Sequence, residues 1–99
     1  MLGVDLSFNG IGDAGAASIS SSIFALTALQ RLNLAGNSIG DEGVEAVTSA
    51  IPYLTALQIL DLTRNELGPE GYSQIIKSVR IYSLDRLSFN GYRREMSII

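Results

Sequence analysis

Apolar and polar positions along this chain recur with a fixed step. Val4 and Leu6, Leu32 and Leu34, and Leu60 and Leu62 each flank one polar residue, the period-2 alternation of a strand with one buried face. Behind each pair comes a further apolar position, Ile11, Ile39 or Leu67. Pairs four apart follow, Ile19 and Ile23, Val47 and Ile51, Ile75 and Val79, the spacing of a helix with an inward stripe. Asn9, Asn37 and Asn65 stand 28 residues apart, as do Gly15, Gly43 and Gly71, and Met1, Leu29 and Leu57 open the units. The pattern predicts one α/β domain, residues 1–99, built as a β-α solenoid with repeats at 1–28, 29–56 and 57–83 and a partial terminal repeat at 84–99. Strands are predicted near 3–7, 31–35 and 59–63, with a weaker one near 86–89, all parallel. Helices are predicted over about 13–24, 41–51 and 69–80.

Each recurring residue has a physical role. Asn37 falls where the chain leaves the strand, and its amide can bond main-chain groups that the turn leaves unpaired. Stacking the units aligns Asn9, Asn37 and Asn65 as a structural ladder, not as ligand contacts. Gly12-Asp13, Gly40-Asp41-Glu42 and Gly68-Pro69-Glu70 read as helix starts, with acids facing the positive end of their own helix and proline in a first turn. Gly15, Gly43 and Gly71 are expected to let each helix approach the strand layer. Pro52 is expected to end or bend the second helix, and Leu26 and Leu54 to pin the returning loops. A fourth unit starts at Leu84, Leu87 and Phe89, one residue short, but Tyr92 takes the ladder position. No helix stripe follows, so the array is read as incomplete.

Composition narrows the function. At 46% hydrophobic and 17% charged residues the chain suits a packed core, and a net charge of −3 is the wrong sign for a nucleic-acid groove. Without cysteine there is no disulfide or thiolate zinc site, and without histidine most metal sites and the usual general base are missing. The serines, Ser18 and Ser20 to Ser22 among them, have no base nearby in sequence, and no Gly-rich phosphate loop ends in Gly-Lys-Ser/Thr. No apolar stretch is long enough to span a membrane, Met1 to Asp5 lack the basic region and apolar core expected of a signal peptide, and no N-x-Ser/Thr acceptor is present. A cytoplasmic protein that is not an enzyme is expected, with no cofactor, small-molecule ligand, nucleic acid or membrane as partner.

Leu29-Gln-Arg-Leu32-Asn-Leu34-Ala-Gly-Asn37-Ser-Ile39 fits L-x-x-L-x-L-x-x-N-x-L, the leucine-rich-repeat signature. Leu57 to Leu67 fits it again, and Met1 to Ile11 fits with conservative exchanges. With 28 residues per unit and the run Asn37-Ser-Ile-Gly-Asp-Glu-Gly43, the chain resembles the ribonuclease-inhibitor-like class over roughly residues 1–90. That class includes ribonuclease inhibitors, Ran GTPase-activating proteins and the sensor arrays of NOD-like receptors. The resemblance implies a right-handed β-α superhelix with a parallel sheet on the concave face, helices on the convex face, and a protein partner bound to the concave face. The lack of any repeat-position cysteine departs from the class.

On that face the side chains between the buried strand positions form columns. One is Gly3, Arg31, Ile59 and Arg86, the next Asp5, Asn33, Asp61 and Ser88, and the third Ser7, Ala35, Thr63 and Asn90. Phe8, Gly36 and Arg64 stand at the strand exits. Charged and apolar groups mix here, and arginine is enriched at binding hot spots. Arg31, Asn33, Ile59, Asp61, Arg64 and Arg86 are therefore the candidate partner contacts. Glu45, Ser49, Gln74 and Ser78 are expected to face solvent on the helix side. Two other functions fit the resemblance. One is a GTPase activator using Arg31, Arg64 or Arg86 on phosphate charge. The other is a sensor array whose nucleotide-binding module lies elsewhere.

Overall fold

The computed structural model describes the backbone of residues 2–82, 86–89 and 92–95 and the side chains of residues 2–78. Strands β1 (Gly3–Asp5), β2 (Arg31–Asn33) and β3 (Ile59–Leu62) alternate with helices α1 (Gly12–Ile23), α2 (Asp41–Ala50) and α3 (Pro69–Tyr82). A short 3-10 turn, Ile51–Tyr53, extends α2 and carries Pro52. β4 (Arg86–Phe89) and β5 (Tyr92–Glu95) complete a sheet in the order β1-β2-β3-β4-β5. The repeat strands β1 to β4 are all parallel. β5 was not foreseen, and it pairs antiparallel with β4, beginning at Tyr92, the residue in place of a ladder asparagine. Met1, Leu84 and Asn90, each given a role by the repeat pattern, lie outside the described residues, as does the side chain of Val79.

The inward strand residues and the helix stripes meet in one core. Leu29, Leu32, Leu34, Ile39, Val44, Leu60, Leu62 and Ile75 are wholly buried. The first unit is sealed less well: Val4, Leu6, Ile11 and Ile19 are only partly buried against it. Leu54 is buried as expected, whereas Leu26, its counterpart, is 43% exposed. Leu26 therefore does not pin its loop by burial. The turn there is held by backbone bonds, Leu29 N–H to the Leu26 carbonyl at 3.0 Å and Leu26 N–H to the Ile23 carbonyl at 2.8 Å.

The asparagines cross-link neighbouring units. Asn37 Oδ1 accepts from the N–H groups of Asn9 (2.8 Å) and Ile11 (3.3 Å), while its Nδ2 donates to the carbonyls of Leu6, Leu34 and Ala35. Asn65 repeats the arrangement one unit on, accepting from Asn37 and Ile39 N–H at 3.0 Å each. Among the described residues, the Asn9 side chain donates only within its own unit, to the Leu6 and Ser7 carbonyls.

A second ladder is made of aspartates: Asp13 and Asp41 stand in the first turns of their own helices, as expected, but their hydrogen bonds go to the next unit. Asp13 and Asp41 do not cap their own helices; each caps the next one. Asp13 Oδ1 accepts from Gly40 N–H at 2.6 Å and Gly43 N–H at 3.0 Å, and Asp41 Oδ1 from Gly68 N–H at 2.7 Å and Gly71 N–H at 3.0 Å. A carboxylate thereby meets two of the unpaired N–H groups at a helix start, where the dipole favours negative charge. The glycines also change role. A Cβ on Gly43 would lie 2.6 Å from Asp13 Oδ1 and 3.2 Å from Ala16 Cβ, so the missing side chain admits the preceding unit's carboxylate and helix, not the strand layer. In the first unit, Gly12 N–H goes instead to the Asn37 carbonyl at 2.8 Å. Asp41→Ala is expected to cost about 1–2 kcal/mol by loss of this cap, and Asp41→Asn less. Equal thermal unfolding of wild type and Asp41→Ala would remove the aspartate ladder as a stabilising device.

Candidate partner-binding face

Strand register fixes the columns. Gly3 lies opposite Arg31, Arg31 opposite Ile59 and Ile59 opposite Arg86; Asp5, Asn33, Asp61 and Ser88 align next to them. Parallel pairing without slip places these residues on one side of the sheet, because side chains alternate strictly along each strand. Arg31 is exposed and Ile59 half-buried between it and the Arg86 position; the Arg86 side chain lies outside the described residues. Gly3 leaves room for Arg31 to lean over it: a Cβ there would come within 3.3 Å of Arg31 Nε. Beside it a shallow depression of about 320 Å³ is lined by Gly3, Val4, Asp5, Arg31 and Asn33.

The second column also shapes the backbone. Asp5 Oδ1 accepts from Ser7 N–H at 3.0 Å and Ser7 Oγ at 2.7 Å, Asn33 Oδ1 from Ala35 N–H at 3.0 Å, and Asp61 Oδ1 from Thr63 N–H at 2.9 Å and Thr63 Oγ1 at 2.7 Å. These side-chain turns claim the amide two residues on and end each strand earlier than the hydrophobic alternation implied. Asn33 and Asp61 therefore carry a structural duty besides their place on the face. The bonds from Ser7 hold the Asp5 carboxyl below its ordinary value, and the charge of Arg31 adds to this. A depressed carboxylate favours the fold while charged, so this contribution is lost as pH falls through the folded-state value, below the usual range near about 3.9.

At the strand exits the chain turns through left-handed backbone, with φ +56° at Phe8, +66° at Gly36 and +59° at Arg64. Only Gly36 adopts this without steric cost. The Phe8 ring lies where a Gly36 side chain would be, and it is 65% exposed. Arg64 is likewise exposed, one strand further on from Gly36. On the helix side, Glu45, Ser49 and Gln74 are exposed, but Ser78 is buried, contrary to expectation, because α3 turns that residue inward in line with Ile75.

Both polar ladders and the β1–β2–β3 register recur at the 28-residue step, as stacked copies of one unit require. The leucine-rich-repeat family model matches residues 4–20, 25–47 and 53–75, well over half of the chain. The chain belongs to the leucine-rich-repeat family. Its fold is the α/β solenoid of such repeats, with a parallel sheet on one side and helices on the other. No curated protein and no solved structure gave a match. Among the described residues of this leucine-rich-repeat chain, no helix is long and apolar enough to cross a membrane.

Proposed function

We propose that this leucine-rich-repeat chain is a protein-interaction module, without catalytic activity of its own, that holds a partner protein across the outward face of its sheet in a cytoplasmic setting. The observation that carries the reading is the column Gly3–Arg31–Ile59–Arg86. It supplies an exposed guanidinium beside apolar area and a shallow depression, next to the half-buried amide of Asn33 and carboxylate of Asp61. Asn33 Nδ2 and Asp61 Oδ2 have no partner among the described residues, which leaves a donor and an acceptor for a ligand. Phe8 and Arg64 extend the same face at the strand exits. Mixed aromatic, arginine and amide chemistry suits a protein surface, where a few residues carry most of the affinity.

The test is affinity capture on the immobilised chain, with the captured protein then purified and titrated by calorimetry. Arg31→Ala, Ile59→Ala, Arg64→Ala and Arg86→Ala should include at least one loss of about 2 kcal/mol, roughly thirtyfold in Kd. Ser73→Ala and Gln74→Ala on α3 should change affinity by less than about 0.5 kcal/mol. Asp61 is best tested as Asp61→Asn, which keeps the turn acceptor and removes the charge. Losses confined to the α3 pair would place the interface on the helices and end the sheet-face reading.

A further inference from the structure

The helix side carries a feature that the sheet-face reading does not use. Between α1 and α2 runs a groove of about 270 Å³, lined by the small residues Ala17, Ser21, Ala46, Ser49 and Ala50 and flanked at one end by Phe24 and Tyr53. The two rings meet edge to face, 5.8 Å between centroids, and both are largely exposed, Phe24 at 47% and Tyr53 at 58%. Ser20 also lines the groove. It is 7% exposed, and its hydroxyl has no hydrogen-bond partner among the described residues, whereas Ser21, Ser22, Thr48 and Ser49 all donate to helix carbonyls. A buried hydroxyl left unpaired is uncommon in a finished structure.

Charge defines what would fit. α1 and α2 contain Asp13, Asp41, Glu42 and Glu45 and no lysine or arginine. Asp13 and Asp41 are engaged with backbone N–H groups, while Glu42 and Glu45 are exposed. Glu42 precedes Ala46 by four residues and Ser49 by seven, so helical spacing sets it on the groove-facing side of α2, at the end away from the rings. The groove thus runs from an acidic end to an aromatic end. A second copy docked symmetrically through the same two helices would bring acid against acid, and like charges disfavour that pairing.

We propose that the α1–α2 groove is a second docking surface, and that its occupant is an amphipathic helix of a partner protein with lysine or arginine at one end of its apolar stripe. Small lining residues let a helix lie close, as in helix-in-groove recognition. Glu42 and Tyr53 are eleven residues apart, roughly 17 Å at helical rise. The partner's cation and the apolar residue that packs against the ring pair are therefore separated by about eleven positions, three turns. This surface is distinct from the sheet face, and neither reading depends on the other.

The experiment uses the full chain and a fluorescently labelled helical peptide of about eighteen residues, three turns of leucine stripe with lysines at one end, read by anisotropy. The comparator keeps the stripe and replaces the lysines with glutamate. The expected result is saturable binding of the basic peptide, at least tenfold weaker binding of the acidic one, and at least tenfold loss in both Ser21→Trp, which fills the groove from an exposed position, and Glu42→Lys. Arg31→Ala on the sheet face should leave peptide affinity unchanged. Circular dichroism checks each fold, and Glu42→Lys, a surface charge exchange, remains decisive if Ser21→Trp unfolds. The proposal is overturned by absence of saturable binding, by equal binding of the two peptides, or by undiminished binding in Glu42→Lys. Self-association of the chain that Ser21→Trp abolishes would also overturn it and assign the groove to a second copy.

Discussion

Replacing Asn37 with alanine is expected to destabilise the fold by about 3 kcal/mol, while the same change at Asn9 costs about 1 kcal/mol. Asn37 is wholly buried and serves two N–H groups and three carbonyls, drawn from its own unit and the one before it. Truncation leaves these backbone groups without a partner in a place that water reaches poorly, and an orphaned buried group costs more than a typical bond contributes. Asn9 makes the local bonds alone, and its site is exposed, so water can replace them. Urea unfolding of both variants with a common m value measures the difference. Small and equal losses would mean that the ladder does not couple the units.

Gly43→Ala should be nearly as damaging, by about 2–3 kcal/mol, even though alanine is the better helix former by about 1 kcal/mol. The added methyl would meet Asp13 Oδ1 and Ile39 Cγ2, each at 2.6 Å, and neither can withdraw without losing its own contacts. Driving the carboxylate away uncaps α2, so the cost of the methyl and the cost of losing Asp13 overlap. Asp13→Ala combined with Gly43→Ala should therefore destabilise by less than the two single changes together, by at least about 0.5 kcal/mol. Strict additivity in a double-mutant cycle would show that the glycine and the aspartate act independently.

Much of this architecture was legible in the chain. The strand and helix phases, the asparagine ladder and the sheet-face columns follow from side-chain period and spacing alone, because burial enforces both. The aspartate ladder was hidden for a physical reason: the partners of Asp13 are the backbone N–H groups of Gly40 and Gly43, 27 and 30 residues away, and backbone leaves no mark on side-chain identity. The only trace is the shared step of Asp13 and Asp41 with Gly43 and Gly71. The turn duty of Asn33 and Asp61 was masked in the same way, since a residue on a strand face shows its direction in the sequence but not the amide it bonds. For β5, Asn90-Gly91 was an available signal, a pair favoured between antiparallel strands. The solenoid period drew attention to the missing ladder residue at Tyr92 instead. The α1–α2 groove depends on the absence of bulk between two helices, which no single residue announces.

Proline stands at position 69, one step on from Asp13 and Asp41, where a third carboxylate would sit, and Tyr92 stands where a further asparagine would. The junctions between the first and second units and between the second and third are thus each tied by one amide and one carboxylate. At the junction beyond the third unit neither ladder position holds its asparagine or aspartate. In a linear array whose cohesion is a sum of nearest-neighbour terms, such an inequality sets a direction. Opening is expected to begin beyond β3, and the backbone amides of the second unit, which is tied on both sides, should be the last to exchange with solvent.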